Sequence, residues 1–359
     1  MQSEKSINKK LYNNNQNEIL YISFNQDNSC VAIGTELGFK IIKVCPFLDL
    51  YYRDMNGGIG IIEMLNQSNI LALVGGGKKP KYPNNEFILW DEEKEKELVK
   101  IKTSTKILNI KIRENKIYIV NQNKILVFDI NTLSTVNILQ TKNPRGLISI
   151  CYKIDMVAYP DTAHEGTLLI RNYEKNTESK LKAHKTQLTI FQINQDGTLI
   201  GTCSLKGTII RVYNTANNQM VREVRRGKDS AHLNCISFDI SKKYFLVGSD
   251  TKTIHVFFLI NQNEDDKNEL KLKHVKTKSV VEVNNKKSIF CEMSNFFNVG
   301  KRYFASEWGF AKFKTDSSKA ICVFGPDNSI YTVGFDGKFC QEAFDPVNGD
   351  IFKIQEEQF

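Results

Sequence analysis

The chain has 359 residues, 41% of them hydrophobic, and a formal charge of +9 from 49 Lys and Arg against 40 Asp and Glu. That is apolar enough for a sizeable core, yet no run approaches the roughly 18 consecutive apolar residues of a membrane-spanning helix. The positive charge favours an anionic partner, but the basic helix or strand-borne aromatics of a nucleic-acid reader are absent, so no nucleic-acid partner is expected.

Residues 1–17 are rich in Asn, Gln and Lys and lack the apolar stretch and cleavage site of a secretory signal. They read as a disordered N-terminal segment of a cytoplasmic protein. From residue 18 onward, short alternating runs bounded by polar turn clusters return at an interval of about forty residues, the spacing of propeller blades. The third strand of each unit is expected at 39–44, 87–91, 125–129, 168–173, 209–214, 253–258 and 338–344. Polar hairpins at Asn25-Gln26-Asp27-Asn28, Asn194-Gln195-Asp196-Gly197, Asp239-Ile240-Ser241-Lys242 and Pro326-Asp327-Asn328 link the first two strands of a unit. Helical periodicity is almost absent. The expected fold is therefore all-β, a single seven-bladed β-propeller of WD-repeat type over 18–359, because one blade cannot bury both its faces alone.

One interval breaks the rhythm. About eighty residues, roughly twice the repeat, separate the third strands of the sixth and seventh units. The excess lies at about 260–302, where Lys271, Lys273, Lys276, Lys278, Lys286 and Lys287 alternate with apolar residues. Two readings fit the segment: an insertion without a contact of its own, or, because Lys among Val and Phe suits an anionic interface, a loop whose Val280, Val281, Ile289 and Phe290 touch a membrane. The eight cysteines are scattered, without a C-x-x-C pair or a His at metal-ligand spacing. They read as reduced and mostly buried in strands, with no metal and no cofactor. No Gly-x-Ser-x-Gly elbow exists, and His164 near Asp161 reads as a loop pair, so no catalytic residue is assigned.

The strongest local signal is Val224-Arg225-Arg226-Gly227. Adjacent side chains of an extended segment point to opposite sides, so Arg225 and Arg226 suit two different pockets, with Gly227 permitting a tight exit. Upstream lie His184, Thr202, Ser204, Lys206, Thr208 and Arg211; downstream lie Ser249, Thr251, Lys252, Thr253 and His255. Both sets repeat one chemistry, in which hydroxyls and His donate to phosphate oxygens and Arg adds bidentate, charge-assisted bonds.

With these residues the sequence resembles the PROPPINs, WD-repeat-like propellers that bind polyphosphoinositides and include the WIPI autophagy proteins. Their hallmark (F/L)RRG motif is matched by Val224-Arg225-Arg226-Gly227, with Val in the first place. It is preceded by Ser204-Leu205-Lys206-Gly207-Thr208-Ile209-Ile210-Arg211-Val212-Tyr213 and followed by Asp229-Ser230-Ala231. Further matches are Gly75-Gly76-Gly77-Lys78-Lys79-Pro80-Lys81-Tyr82-Pro83-Asn84-Asn85, Asn143-Pro144-Arg145-Gly146-Leu147 and Tyr303-Phe304-Ala305-Ser306-Glu307-Trp308. The Lys-Tyr-Pro-Asn-Asn stretch is most similar to the branch of the shorter WIPI proteins.

The resemblance implies an adaptor, not an enzyme, that recognises phosphatidylinositol 3-phosphate and phosphatidylinositol 3,5-bisphosphate through two rim pockets. The first pocket would hold His184, Thr202, Ser204, Arg211 and Arg225, and the second Arg226, Ser249, Thr251, Thr253 and His255. The long loop of the sixth blade would dip into the bilayer. The implied partners are phosphoinositide-containing membranes and autophagy proteins, a lipid-transfer protein among them, with a peripheral location on preautophagosomal, endosomal or vacuolar membranes. Where the family usually has Ser-Asp-Lys-Gly-Thr, this chain reads Ser249-Asp250-Thr251-Lys252-Thr253, which moves the lysine one place, to the other face of a strand. The competing reading is a protein-only WD-repeat scaffold with a basic interaction surface, which the fold alone does not separate from a lipid reader.

Overall fold

A computed structural model describes residues 18–259, 286–287 and 307–359. The chain is a seven-bladed β-propeller: seven successive sheets, each built around four antiparallel strands, with no helix among the described residues. No helix there is long and apolar enough to cross a membrane. Three of the expected third strands coincide with Ile209–Asn214, Thr253–Phe258 and Lys338–Phe344. Four others begin one residue earlier, as Gly38–Val44, Glu86–Asp91, Lys124–Asp129 and Thr167–Asn172. Pairing there runs on into the residue nearest the turn, as in Gly38 with Asp54 and Thr167 with Lys182, which apolar alternation does not mark.

The polar hairpins are locked by their own side chains. Asn25 Oδ1 accepts from the Cys30 amide at 2.9 Å, and Asn194 Oδ1 from the Leu199 amide at 2.9 Å. Asp27 and Asp196 likewise cap the amides of Ser29 and Thr198, and Asn28, Gly197 and Lys242 take the left-handed conformation that closes each turn.

The chain divides into two compact units, Met1–Gly146 with Phe335–Gly337, and Leu147–Gly334 with Lys338–Phe359. In the first, Ala32, Phe39, Ile62, Leu73 and Ile88 are buried between the first two sheets, and Ala72, Phe87, Ile110 and Ile119 between the second and third. In the second unit the fifth sheet is buried on both sides. Tyr213 and Ile200 pack toward the fourth sheet against Leu181 and Leu168, while Cys203, Ile210 and Val224 pack toward the sixth against Ile236, Phe245 and Val247. Five of the seven described cysteines are buried and none is in a disulfide.

The outermost strands carry a device against edge pairing. Register shifts skip Leu50, Leu98, Val136, Val221 and Ile354, each of which is an exposed apolar residue on a fourth strand. A bulge at an edge twists the strand and interrupts its ladder, so these exposed side chains belong to edges shaped to resist another strand. The fifth sheet goes further. Its fourth strand, Met220–Arg225, is covered in part by Glu307, which pairs in parallel with Val224, and Lys286–Lys287 pairs next to Glu307–Trp308.

The sixth sheet runs Leu233–Phe238, Tyr244–Ser249, Thr253–Phe258 and then Ala311–Lys314, so the inserted segment falls between its third and fourth strands. Val280, Val281, Ile289 and Phe290 lie outside the described residues, as do residues 1–17.

Candidate functional site: two clusters flanking the fifth sheet

Strands Leu199–Ser204, Ile209–Asn214 and Met220–Arg225 pair so that Thr202, Arg211 and Glu223 form one row across the fifth sheet, and Ile209 and Arg225 pair in a parallel row. Residues two apart share a face, so Ser204 and Arg225 lie on the face of Thr202 and Arg211. That face turns toward the fourth sheet: Arg211 Nη1 donates to the Ala183 carbonyl at 2.8 Å and the Tyr213 hydroxyl donates to the same oxygen at 2.9 Å. All five residues expected in the first pocket thus gather there, with His184 in the chain just beyond Ala183.

Their hydrogen bonds form a cycle. Arg211 Nη1 lies 3.5 Å from His184 Nδ1, His184 Nε2 lies 3.1 Å from Thr202 Oγ1, and that hydroxyl donates to the Arg211 carbonyl at 3.1 Å. The cycle needs a neutral imidazole with its proton on Nε2. Burial, reinforced by the Arg211 charge, holds the His184 pKa down to about 4, which supplies that state. Thr202 is fully buried and serves to orient His184, whereas Ser204, Arg211 and Arg225 are half-buried. Glu223, which the sequence reading missed, accepts from Arg211 Nε at 2.7 Å. Its only sequence signal is its place two residues before Arg225, on the same face.

Arg226 follows the end of the strand and turns to the opposite face, toward the sixth sheet. It is buried, donating from Nε to the Gly207 carbonyl at 3.0 Å, from Nη2 to the Asp229 carbonyl at 2.5 Å and from Nη1 to Thr251 Oγ1 at 3.3 Å. Thr251 belongs to a triangle of hydroxyls: Ser249 to Thr251 is 2.8 Å, Thr251 to Thr253 is 3.1 Å and Ser249 to Thr253 is 3.2 Å. His255, two residues along from Thr253 on the same face, stacks on Phe257 with ring centroids 6.1 Å apart. Burial lowers its pKa to about 4, with Lys312 and Arg226 adding to the effect. The five residues expected in the second pocket are therefore also brought together.

Two local expectations change. Lys252 does not sit on the other face of a strand; it closes the hairpin between Tyr244–Ser249 and Thr253–Phe258 with φ 57°. Gly227 is not needed for a tight exit, because a Cβ there would meet nothing within 4 Å and its φ is outside the left-handed region. The glycine that matters is Gly207, with φ +68° and only 1.7 Å between its would-be Cβ and the Ala231 carbonyl oxygen. That close approach delivers the Gly207 carbonyl to Arg226.

A family model described as PROPPIN matches residues 19–279. Among curated relatives, "SVP1-like protein 2" of Neurospora crassa is 37% identical over 67% of this chain and 56% of its own length. "Autophagy-related protein 18" of Dictyostelium discoideum is 32% identical over 67% of this chain and 64% of its own length. The chain thus spans less than two thirds of the length of these relatives. Among solved structures, Kluyveromyces lactis Hsv2 superposes with a TM-score of 0.75 at 21% identity, covering 95% of this chain and 99% of that one. KlAtg21 in complex with the coiled-coil of AgAtg16 gives 0.71 at 19% identity, with the same coverage. These superpositions share the propeller fold.

Proposed function

The chain belongs to the PROPPIN family, and on that premise we propose that it is a non-catalytic adaptor that reads 3-phosphorylated phosphoinositides through two separate headgroup pockets. The observation that carries the reading is the split of Arg225 and Arg226 onto opposite faces of one sheet, each among hydroxyls and a neutral histidine. Hydroxyl and imidazole donors beside a guanidinium form the donor set that phosphate oxygens accept from, each charged contact contributing about 1.5 to 3 kcal/mol. Two modest sites on one body reinforce each other on a surface, because capture of the second lipid is intramolecular.

The lysine-bearing insertion, through Val280, Val281, Ile289 and Phe290, would add apolar and electrostatic contact with an anionic leaflet. Relatives named for autophagy support a role on preautophagosomal, endosomal or vacuolar membranes, where the protein recruits autophagy proteins such as a lipid-transfer protein. For that recruitment the exposed Lys78, Lys79 and Lys81 are better placed than the 143–145 segment, whose Asn143 is buried.

The test is co-sedimentation with vesicles of phosphatidylinositol 3-phosphate, phosphatidylinositol 3,5-bisphosphate, the 4-phosphate isomer or phosphatidylserine at matched charge, comparing wild type with Arg225→Thr/Arg226→Thr. Selective binding to the 3-phosphorylated lipids that disappears in the folded variant is the expected result. Binding that follows charge alone and survives the substitutions would favour a protein-only scaffold.

A further inference from the structure

Lys252 closes the second hairpin instead of lying on a strand face, so that cluster holds one guanidinium, yet the sixth sheet places two more cations on the same face. Ser249 pairs with Thr253 and Thr253 with Lys314; in the next row Val247 pairs with His255 and His255 with Lys312. Residues directly opposite one another across paired strands share a face, so Lys314 stands beside the hydroxyl triangle and Lys312 beside the imidazole. Both lysines are exposed and make no ion pair among the described residues. Lys312 is near enough to His255 to help hold its ring neutral. Gly309 packs closely on the imidazole, where a Cβ would stand 3.2 Å from His255 Nδ1.

Resting on the headgroup reading above, we infer that Lys312 and Lys314 are specificity residues of the second pocket and take the second phosphate of a bisphosphorylated inositol ring. Arg226 and the hydroxyls hold one phosphate. The fourth strand lies one strand spacing of about 4.8 Å farther out, so flexible lysines projecting from it meet the far side of the ring. The hairpin lysine does not share that strand face: Lys252 closes the turn between Ser249 and Thr253 with φ 57°. In this chain the cationic wall comes from a strand that enters the sheet only after the insertion.

The experiment isolates the second pocket by placing Arg225→Thr in the full chain. Affinity is measured for phosphatidylcholine vesicles carrying phosphatidylinositol 3-phosphate or phosphatidylinositol 3,5-bisphosphate, with total charge equalised by phosphatidylserine. Adding Lys312→Gln/Lys314→Gln is expected to weaken binding to the bisphosphate vesicles about tenfold and to the monophosphate vesicles less than about threefold. Equal losses on both vesicles, or none, overturn the assignment. Arg226→Gln in the same background separates the two readings. If it leaves both affinities unchanged while the protein stays folded, the second pocket is not a headgroup site and the underlying proposal fails with it. Because both lysines are exposed, their removal leaves the thermal unfolding midpoint unchanged, which a melting curve of each variant checks.

Discussion

The guanidinium of Arg226 donates to the backbone carbonyl of Gly207 at 3.0 Å, so a residue proposed to read a headgroup also ties the hairpin of the fifth sheet to the hydroxyl-rich turn of the sixth. Two of its bonds go to backbone carbonyls. Replacing Arg226 by Gln is expected to cost about 2 kcal/mol of stability, because those acceptors lose charge-assisted donors. Arg225→Gln, on a half-buried side chain, is expected to cost less than about 1 kcal/mol. Urea unfolding of the two single variants decides the point. Equal midpoints would mean that Arg226 has no structural share.

Gly207 and Gly227 flank that arginine in space and in sequence, and they are not equivalent. Gly207→Ala forces a Cβ into the Ala231 carbonyl at a left-handed φ, so a loss of at least about 2 kcal/mol is expected. Gly227→Ala meets open space and should change stability by no more than about 0.5 kcal/mol. Chemical denaturation of both variants tests the contrast; a destabilised Gly227→Ala would contradict the geometry.

Both histidines of the clusters are held neutral, with pKa values near 4 against 6.5 in the unfolded chain. Between those values the unfolded chain binds more protons than the folded one, so stability rises with pH across the window and is lost on acidification from about pH 6.5 toward 4. Full development corresponds to on the order of 3 kcal/mol per histidine, reduced where solvent screens half-buried His184. Urea midpoints at pH 7.5 and 5.5 should show the loss, and His184→Gln/His255→Gln should flatten it. The same acid loss in the double variant would place its origin in other groups.

Much of this was legible in the primary structure, for reasons that can be given residue by residue. Asn194-Gln195-Asp196-Gly197 marks a turn because the Asn and Asp side chains cap nearby amides, a local property. Arg225 and Arg226 separate by face because neighbours in a strand must. What the sequence hid is nonlocal. Glu223 is one more charge on a strand until the register sets it opposite Arg211. Lys312 and Lys314 are two ordinary lysines until Ala311–Lys314 is seen to complete the sixth sheet from beyond a long insertion. Gly227 looked like the necessary glycine because it closes the motif, whereas close backbone approach, visible only in three dimensions, makes Gly207 the necessary one.

Glu223 gives the most discriminating prediction for the first cluster. Its carboxylate accepts from Arg211 Nε at 2.7 Å, on the face where a phosphate would have to approach Arg211 and Arg225. An anion entering there meets a like charge and a guanidinium already partly engaged. Glu223→Gln keeps the shape and an acceptor while removing the charge. Since the pair is partly exposed, the repulsion relieved is modest and screened, and binding to vesicles of phosphatidylinositol 3-phosphate should tighten about two- to fivefold at low salt. The gain should shrink as salt is raised and vanish when Arg225 is also replaced. Vesicle titrations at two ionic strengths provide the measurement. A carboxylate that instead positions Arg211 for the headgroup would show the opposite sign, with weaker binding by Glu223→Gln and little dependence on salt.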